Sequence, residues 1–345
     1  MNLSRIKSSC ANNCNMLKIL HGNFHSIDCV KLVMAVFVVA IHTSAYNCYP
    51  QAWVNMIGTA LISLAVPFFF VASGFLLWHK LVEATIEQKL DRIQKWLKKT
   101  IRLYLVWTFI FLPYAIYGFA RENLSITKSI IFYIRNILLV GENYWSWPLW
   151  YLLAMIVAGG ILYVVVRIRC KQKHIYILAI VLAITGIILN TLHEQCDGYH
   201  QLYFSIFKTT RNGFFIGFPY ICIGIAIAQH GILRSTRILW LIFLISIGLN
   251  IVDIPFALFI AVYALFSLTL HMQLPSSKKE QYQQARLSST VIYFVHMIWI
   301  GLITLLYPAN IAPYWLFLWI MSLSSITALV VVKNKNNKLI KWCFQ

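Results

Sequence analysis

Apolar residues crowd into ten runs, near 29–46, 54–78, 101–120, 147–168, 174–192, 211–230, 237–252, 254–272, 289–307 and 313–332, separated by short polar segments. Crossing a bilayer as a helix takes about 20 mostly apolar residues. The pattern therefore predicts an all-α integral membrane protein of about ten transmembrane helices. Only Asp253 parts the seventh and eighth runs, with Pro255 just beyond, which predicts a tight helical hairpin. The segment 80–100 is different. Ile86, Leu90, Ile93 and Leu97 recur there at helical spacing among lysines, as expected of an amphipathic helix lying on the inner membrane surface. In the long segment 121–146, the stretch 130–140 is apolar but too short to cross, so a re-entrant or interfacial piece is expected.

This divides the chain into an N-terminal segment 1–28, a membrane domain 29–332 and a basic tail 333–345, with no internal repeat and no soluble appendage expected. Residues 1–25 are polar and lack the apolar core of a cleavable signal.

Composition agrees. Charged residues make up 11% of the 345, against about 25% in soluble domains. A net charge of +19 invites a nucleic-acid reading, but that requires one basic patch. Here the basic residues sit in short clusters between apolar runs, so no nucleic-acid partner is expected. With ten spans, only Arg121, Lys128, Arg135, Lys208 and Arg211 of the 29 Lys and Arg fall on the side opposite the N-terminus. That bias needs an even number of spans and places both termini in the cytoplasm. A multi-pass protein of a bacterial inner membrane, with the lipid bilayer as its first partner, is the expected setting. The eight cysteines lack metal-ligand spacing, and Cys10 and Cys14 have no nearby histidine, so no metal is expected. Cys48 and Cys196 both fall on the outer side, where a disulfide is open to them.

The first run carries the strongest chemistry. His42 follows Cys29 by 13 residues, roughly 20 Å of helix. Lys31 precedes it by 11, which leaves the two within about 20° on one helix face. Asp28 borders the same face. Each has an ordinary explanation: Asp28 as a helix cap, Lys31 as an anchor reaching to headgroups, and His42 as a packed core histidine. Ionisable groups at such depth are nevertheless costly and usually mark a functional path. Moving an acyl group from a thioester to a hydroxyl needs a base of near-neutral pKa, and His42 supplies one. Lys31, Lys99 and Arg102 gather where the cytosol meets the membrane, suited to a donor's phosphates. The rise from Lys31 to His42, about 16 Å, is comparable to an extended pantetheine arm.

Several motifs in order make the chain resemble acyltransferase family 3. They are Ser26-Ile-Asp-Cys-Val-Lys31 with Val38-Val-Ala-Ile-His42, Val66 to Phe75, Lys99-Thr-Ile-Arg102, Trp147 to Leu152, Arg211 to Pro219, and Tyr293-Phe-Val-His296. The resemblance covers nearly the whole chain. It implies an O-acyltransferase that takes acyl-CoA, usually acetyl-CoA, and esterifies a hydroxyl of a cell-surface or lipid-linked glycan. It also implies that His42 is essential, that Lys31 lies on its path, and that Lys99 and Arg102 serve the donor. Lysine stands at 31 and 99 where the family commonly has arginine, and His25 where an arginine often precedes the aspartate. Lysine keeps the charge but loses the bidentate fork. The chain looks like the stand-alone kind, as in acetylation of enterobacterial common antigen.

Other residues have two readings. Ser73 and Gly74 either allow close helix packing or admit the donor. Trp147 and Trp150, with their aromatic neighbours, form a headgroup belt or stack on a sugar. Glu142 and Arg211 are solvated charges or acceptor contacts. His296 is expected about 10 Å from the inner surface, as a donor-side or structural group beside Tyr293. No serine-nucleophile elbow or P-loop occurs, which favours direct transfer. A transporter or exporter of a polar solute or glycan on the same fold is the alternative, although repeated halves and paired interrupted helices are not seen.

Overall fold

The computed structural model describes residues 16–17, 24–47, 49–195, 200–307 and 311–345. A short strand, β1 (Met16–Leu17), precedes α1 (His25–Thr43), α2 (Ala52–Ile62), α3 (Ala65–Trp78), α4 (Ile86–Ile110) and α5 (Leu112–Arg121). Next come α6 (Ile126–Arg135), continued by a π-helical turn Asn136–Val140, and then α7 (Leu149–Arg167), α8 (Gln172–Gln195) and α9 (His200–Phe207). A second π turn, Gly213–Gly217, opens α10 (Phe218–His230), and β2 (Ile232–Leu233) pairs antiparallel with β1. The rest is helical: α11 (Thr236–Ile251), α12 (Ala257–His271), α13 (Lys279–Leu306), α14 (Pro313–Lys333) and α15 (Lys338–Phe344).

All ten apolar runs lie on helices, so the protein is an all-α, multi-pass membrane protein. Among the described residues, however, seven helical segments are long and apolar enough to cross a membrane, or eight if α4 and α5 form one span bent by 48°. By length and composition the described helices thus account for seven or eight of the ten expected spans. The shortfall is α11 and α12, with 16 and 15 residues, or about 24 and 22 Å of rise against a core of ~30 Å. They do form the predicted hairpin. Its turn places Asp253 at φ 54° and Phe256 at φ 68° in left-handed conformations.

Within the segment 80–100, Thr85 and Gln88 form a capping box that starts α4, and the helix runs unbroken from Ile86 to Ile110, midway into the expected third span. Its apolar stripe faces the protein: Ile93 is fully buried, and Trp96 and Leu97 press on Gly159 of α7. The outer segment forms α6 and its π turn, with Ile126, Ile130, Ile131, Ile134 and Leu138 exposed, as an interfacial piece would have them.

The closest helix packing joins α3 and α10. A Cβ on Gly74 would overlap the Ile221 carbonyl, and one on Gly224 would overlap that of Val71, so each glycine lets the other backbone approach. Helix α1 sits centrally, against α3, α12, α13 and α14. Cys10, Cys14, Cys48 and Cys196 lie outside the described residues.

Candidate functional site

Helices α1 and α13 pack side by side, and two sets of side chains show that they run parallel. Near their starts, Lys31 lies in electrostatic range of Asp28, Arg286 and Lys99. Further along, the His42 and His296 rings meet with centroids 5.2 Å apart and planes tilted by 30°. The pair forms a ladder with a cationic rung and an imidazole rung. The spacing of 11 residues on one helix and 10 on the other separates the rungs by about 15–16 Å.

Helix α1 begins at His25 and ends at Thr43, with Ser44 turning left-handed at φ 54°. His42 is therefore in the last turn of α1 rather than in mid-helix. The longer α13 continues about 15 Å beyond His296. His296 was expected near the inner surface. Its helix starts at Lys279, ten residues before the predicted run, so the ring lies about 25 Å along it, level with His42. Asp28 is not a cap, because the capping position is Phe24 and Asp28 is buried inside the first turns.

The hydrogen bonds around His296 define its chemistry. Its Nδ1–H donates to the Ile292 carbonyl at 3.0 Å, a bond that only the protonated nitrogen can make. In the neutral ring Nε2 then carries a lone pair, and that atom is buried with no partner among the described residues. Tyr293 is fixed alongside, donating to the Pro148 carbonyl at 2.7 Å. On its other side, His42 faces the Trp147 ring at 5.7 Å and lies in electrostatic range of Arg211.

Three cavities extend along this line. At the basic end, one of about 520 Å³ is lined by Lys99, Arg286, Lys335 and Lys341. Lys99 and Thr290 also line the second, of about 230 Å³, which reaches Lys31, Ser73, Tyr151 and Tyr293. Ser73 Oγ and Tyr151 OH lie 3.3 Å apart there. The third, of about 360 Å³, opens at the opposite end and is lined by Glu142, Asn143, Tyr144, Trp147, Arg135 and Lys208. Its floor is ordered by polar bonds: Arg135 and Asn143 flank the buried Asn136 side chain at 2.9 Å each. Burial raises the Glu142 carboxyl above its ordinary value of 4.5, opposed by Arg211 and Lys208.

Not every expected residue joins this line. Gly74 faces the Ile221 backbone in the α10 contact and does not line the second cavity. Arg102, one turn beyond Lys99, lines none of the three cavities. Trp150 is buried against Phe70, with the Arg211 guanidinium 5.8 Å over its ring, and does not line the outer cavity. Arg286 and Tyr151 were missed as site residues. Arg286 precedes His296 by ten residues, much as Lys31 precedes His42, but the predicted run began after it.

The model of acyltransferase family 3, described as an acyltransferase domain, matches residues 24–333. A serine/alanine racemase of Enterococcus gallinarum is 30% identical over 236 residues, which are 65% of this chain and 32% of that protein. An amino-acid racemase of Enterococcus faecalis is 28% identical over 213 residues, 59% of this chain and 28% of its own length. The chain thus spans about a third of these relatives. No solved structure matches. With the family model covering nearly all of its helices, this membrane protein belongs to acyltransferase family 3.

Proposed function

We propose that the chain is an O-acyltransferase that moves an acyl group, acetyl in the simplest case, from acyl-CoA to a hydroxyl of a cell-surface or lipid-linked glycan. The observation that carries this reading is the two-rung ladder of α1 and α13, with cations at one level and paired imidazoles at the next. In this reading the basic end faces the cytoplasm of a bacterial inner membrane and both termini lie there, which the clustering of Lys and Arg supports. Lys31, Lys99 and Arg286 hold the donor's phosphates. The 230 Å³ cavity takes the thiol arm toward Tyr293 and His296.

His42 acts as general base. It takes the proton of the acceptor hydroxyl as that oxygen attacks the thioester carbonyl. The C–S bond breaks, the CoA thiolate leaves and recovers the proton from the imidazolium, and an O-acyl ester and free CoA result. His296, its own ring fixed by the Nδ1–H bond to Ile292, packs against His42 and holds the base in place. The acceptor approaches from the opposite end, where Trp147 offers an aromatic face and Glu142 and Asn143 offer hydrogen bonds.

A second reading is a transporter of a small polar solute on the same fold, and the serine/alanine racemase name of one relative makes serine the solute to try. One experiment separates the two. Purified protein is incubated with radiolabelled acetyl-CoA and an envelope glycan extract, and in parallel is reconstituted in vesicles with labelled serine. Base-labile label on glycan supports the transferase. Label carried only as serine into the vesicles replaces it with the transporter.

A further inference from the structure

The first cavity has a wall that lies outside the residues the family model matches. The match stops at residue 333, yet Lys335, Asn336, Lys341 and Gln345 line the 520 Å³ space together with Lys99 and Arg286. The segment that supplies them is docked on the helices. Trp107 Nε1 of α4 donates to the Cys343 carbonyl at 2.8 Å. Phe344 meets the Trp107 ring edge-on at 5.4 Å, and Trp107 is stacked on Phe294 of α13 at 4.6 Å. With Cys343 and Phe344 held against α4 and α13, Lys341 and Gln345 are left on the cavity side of α15.

The lining is strongly one-sided in charge. Its lining side chains include four cations and no Asp or Glu. Glu280, which is not part of the lining, accepts from Lys335 Nζ at 3.1 Å in a largely exposed pair. Such pairs contribute little, so Lys335 is readily redirected to a stronger anion. Lys99 and Thr290 then lead from this space into the narrower cavity that reaches Lys31. A wide cationic chamber joined to a narrow one is the shape of a ligand with a polyphosphorylated head and a thin arm.

We propose that residues 335–345 form part of the donor site, with Lys335 and Lys341 binding the phosphates of the CoA nucleotide head while its arm enters the narrower cavity. This rests on the acyl-CoA reading above. The test is calorimetric titration of CoA into the full chain held in discs of neutral phosphatidylcholine. The double variant Lys335→Gln/Lys341→Gln is expected to raise the CoA Kd about tenfold or more, as loss of charged hydrogen bonds does. Lys338→Gln, an exposed lysine on the same helix that does not line the cavity, is expected to leave Kd unchanged. If the double variant binds CoA as wild type does while Arg286→Gln weakens it, the donor reading survives and the tail has no part in it. If the wild-type protein binds no CoA, the donor reading fails and takes this proposal with it. If the two lysines matter only in discs containing an anionic lipid, the cavity holds lipid phosphate and the proposal is overturned.

Discussion

The two ends of the α1–α13 ladder are built differently. At one end Lys31, Lys99 and Arg286 stand on regular helices, with Asp28 the carboxylate among them. At the other, Glu142 and Trp147 come from the connection into α7, Arg135 from the end of α6 and Lys208 from beyond α9, so both charges and an aromatic ring mix on irregular backbone. A predominantly cationic end suits a polyanion. A mixed, aromatic one suits the polyhydroxyl acceptor proposed above. The imidazole rung lies between them and belongs to neither.

The comparison is broken most severely at the rung. His42→Ala is expected to lower kcat by about 10²–10⁴, the usual worth of a positioned base. Radiolabel transfer at saturating donor and acceptor would measure it. Next in size is Arg286→Gln, which should raise the acyl-CoA Kd about tenfold and leave the acceptor KM alone. An equal change in both constants would mean that the ends are not separate. Trp147→Leu should do the reverse, raising acceptor KM by roughly three- to tenfold through a lost stacking face while donor binding holds. Because Trp147 also touches His42, some loss of kcat is expected with it.

The smallest effect concerns Glu142. Burial raises its carboxyl, so its contribution to stability is full below the unfolded value near 4.5 and fades as pH climbs through the higher folded one. Glu142→Gln should therefore unfold at a slightly higher temperature than wild type at pH 8 and at about the same temperature at pH 4. Melting curves at the two pH values check this. A variant that is less stable at pH 8 would show that Arg211 and Lys208 outweigh burial.

The same contrast decided what could be read from the sequence. His42 and Lys31 share one helix, and a period of 3.6 residues was enough to put them on one face. Lys99, Ser73 and Tyr293 were legible through motifs on regular helices. Arg286 was not, because α13 begins ten residues before its apolar run and the arginine looked like part of a loop. The same early start hid the meeting of His296 with His42, which is a tertiary contact that no spacing within one segment encodes. Gly74 was assigned to the donor because glycine suits both close packing and close ligand approach, and only its position against Ile221 distinguishes them. The outer cavity depends on Asn136, Asn143 and a π turn, none of which has a periodic signature.

The central claim is that binding and chemistry occupy different rungs of one ladder. It is tested most directly by measuring acetyl-CoA affinity and the single-turnover rate of acyl transfer to glycan on one preparation of His42→Ala. The predicted result is a donor Kd within about twofold of wild type together with a transfer rate reduced at least a hundredfold. Transfer at the wild-type rate, or a lost rate explained wholly by lost donor binding, would contradict it.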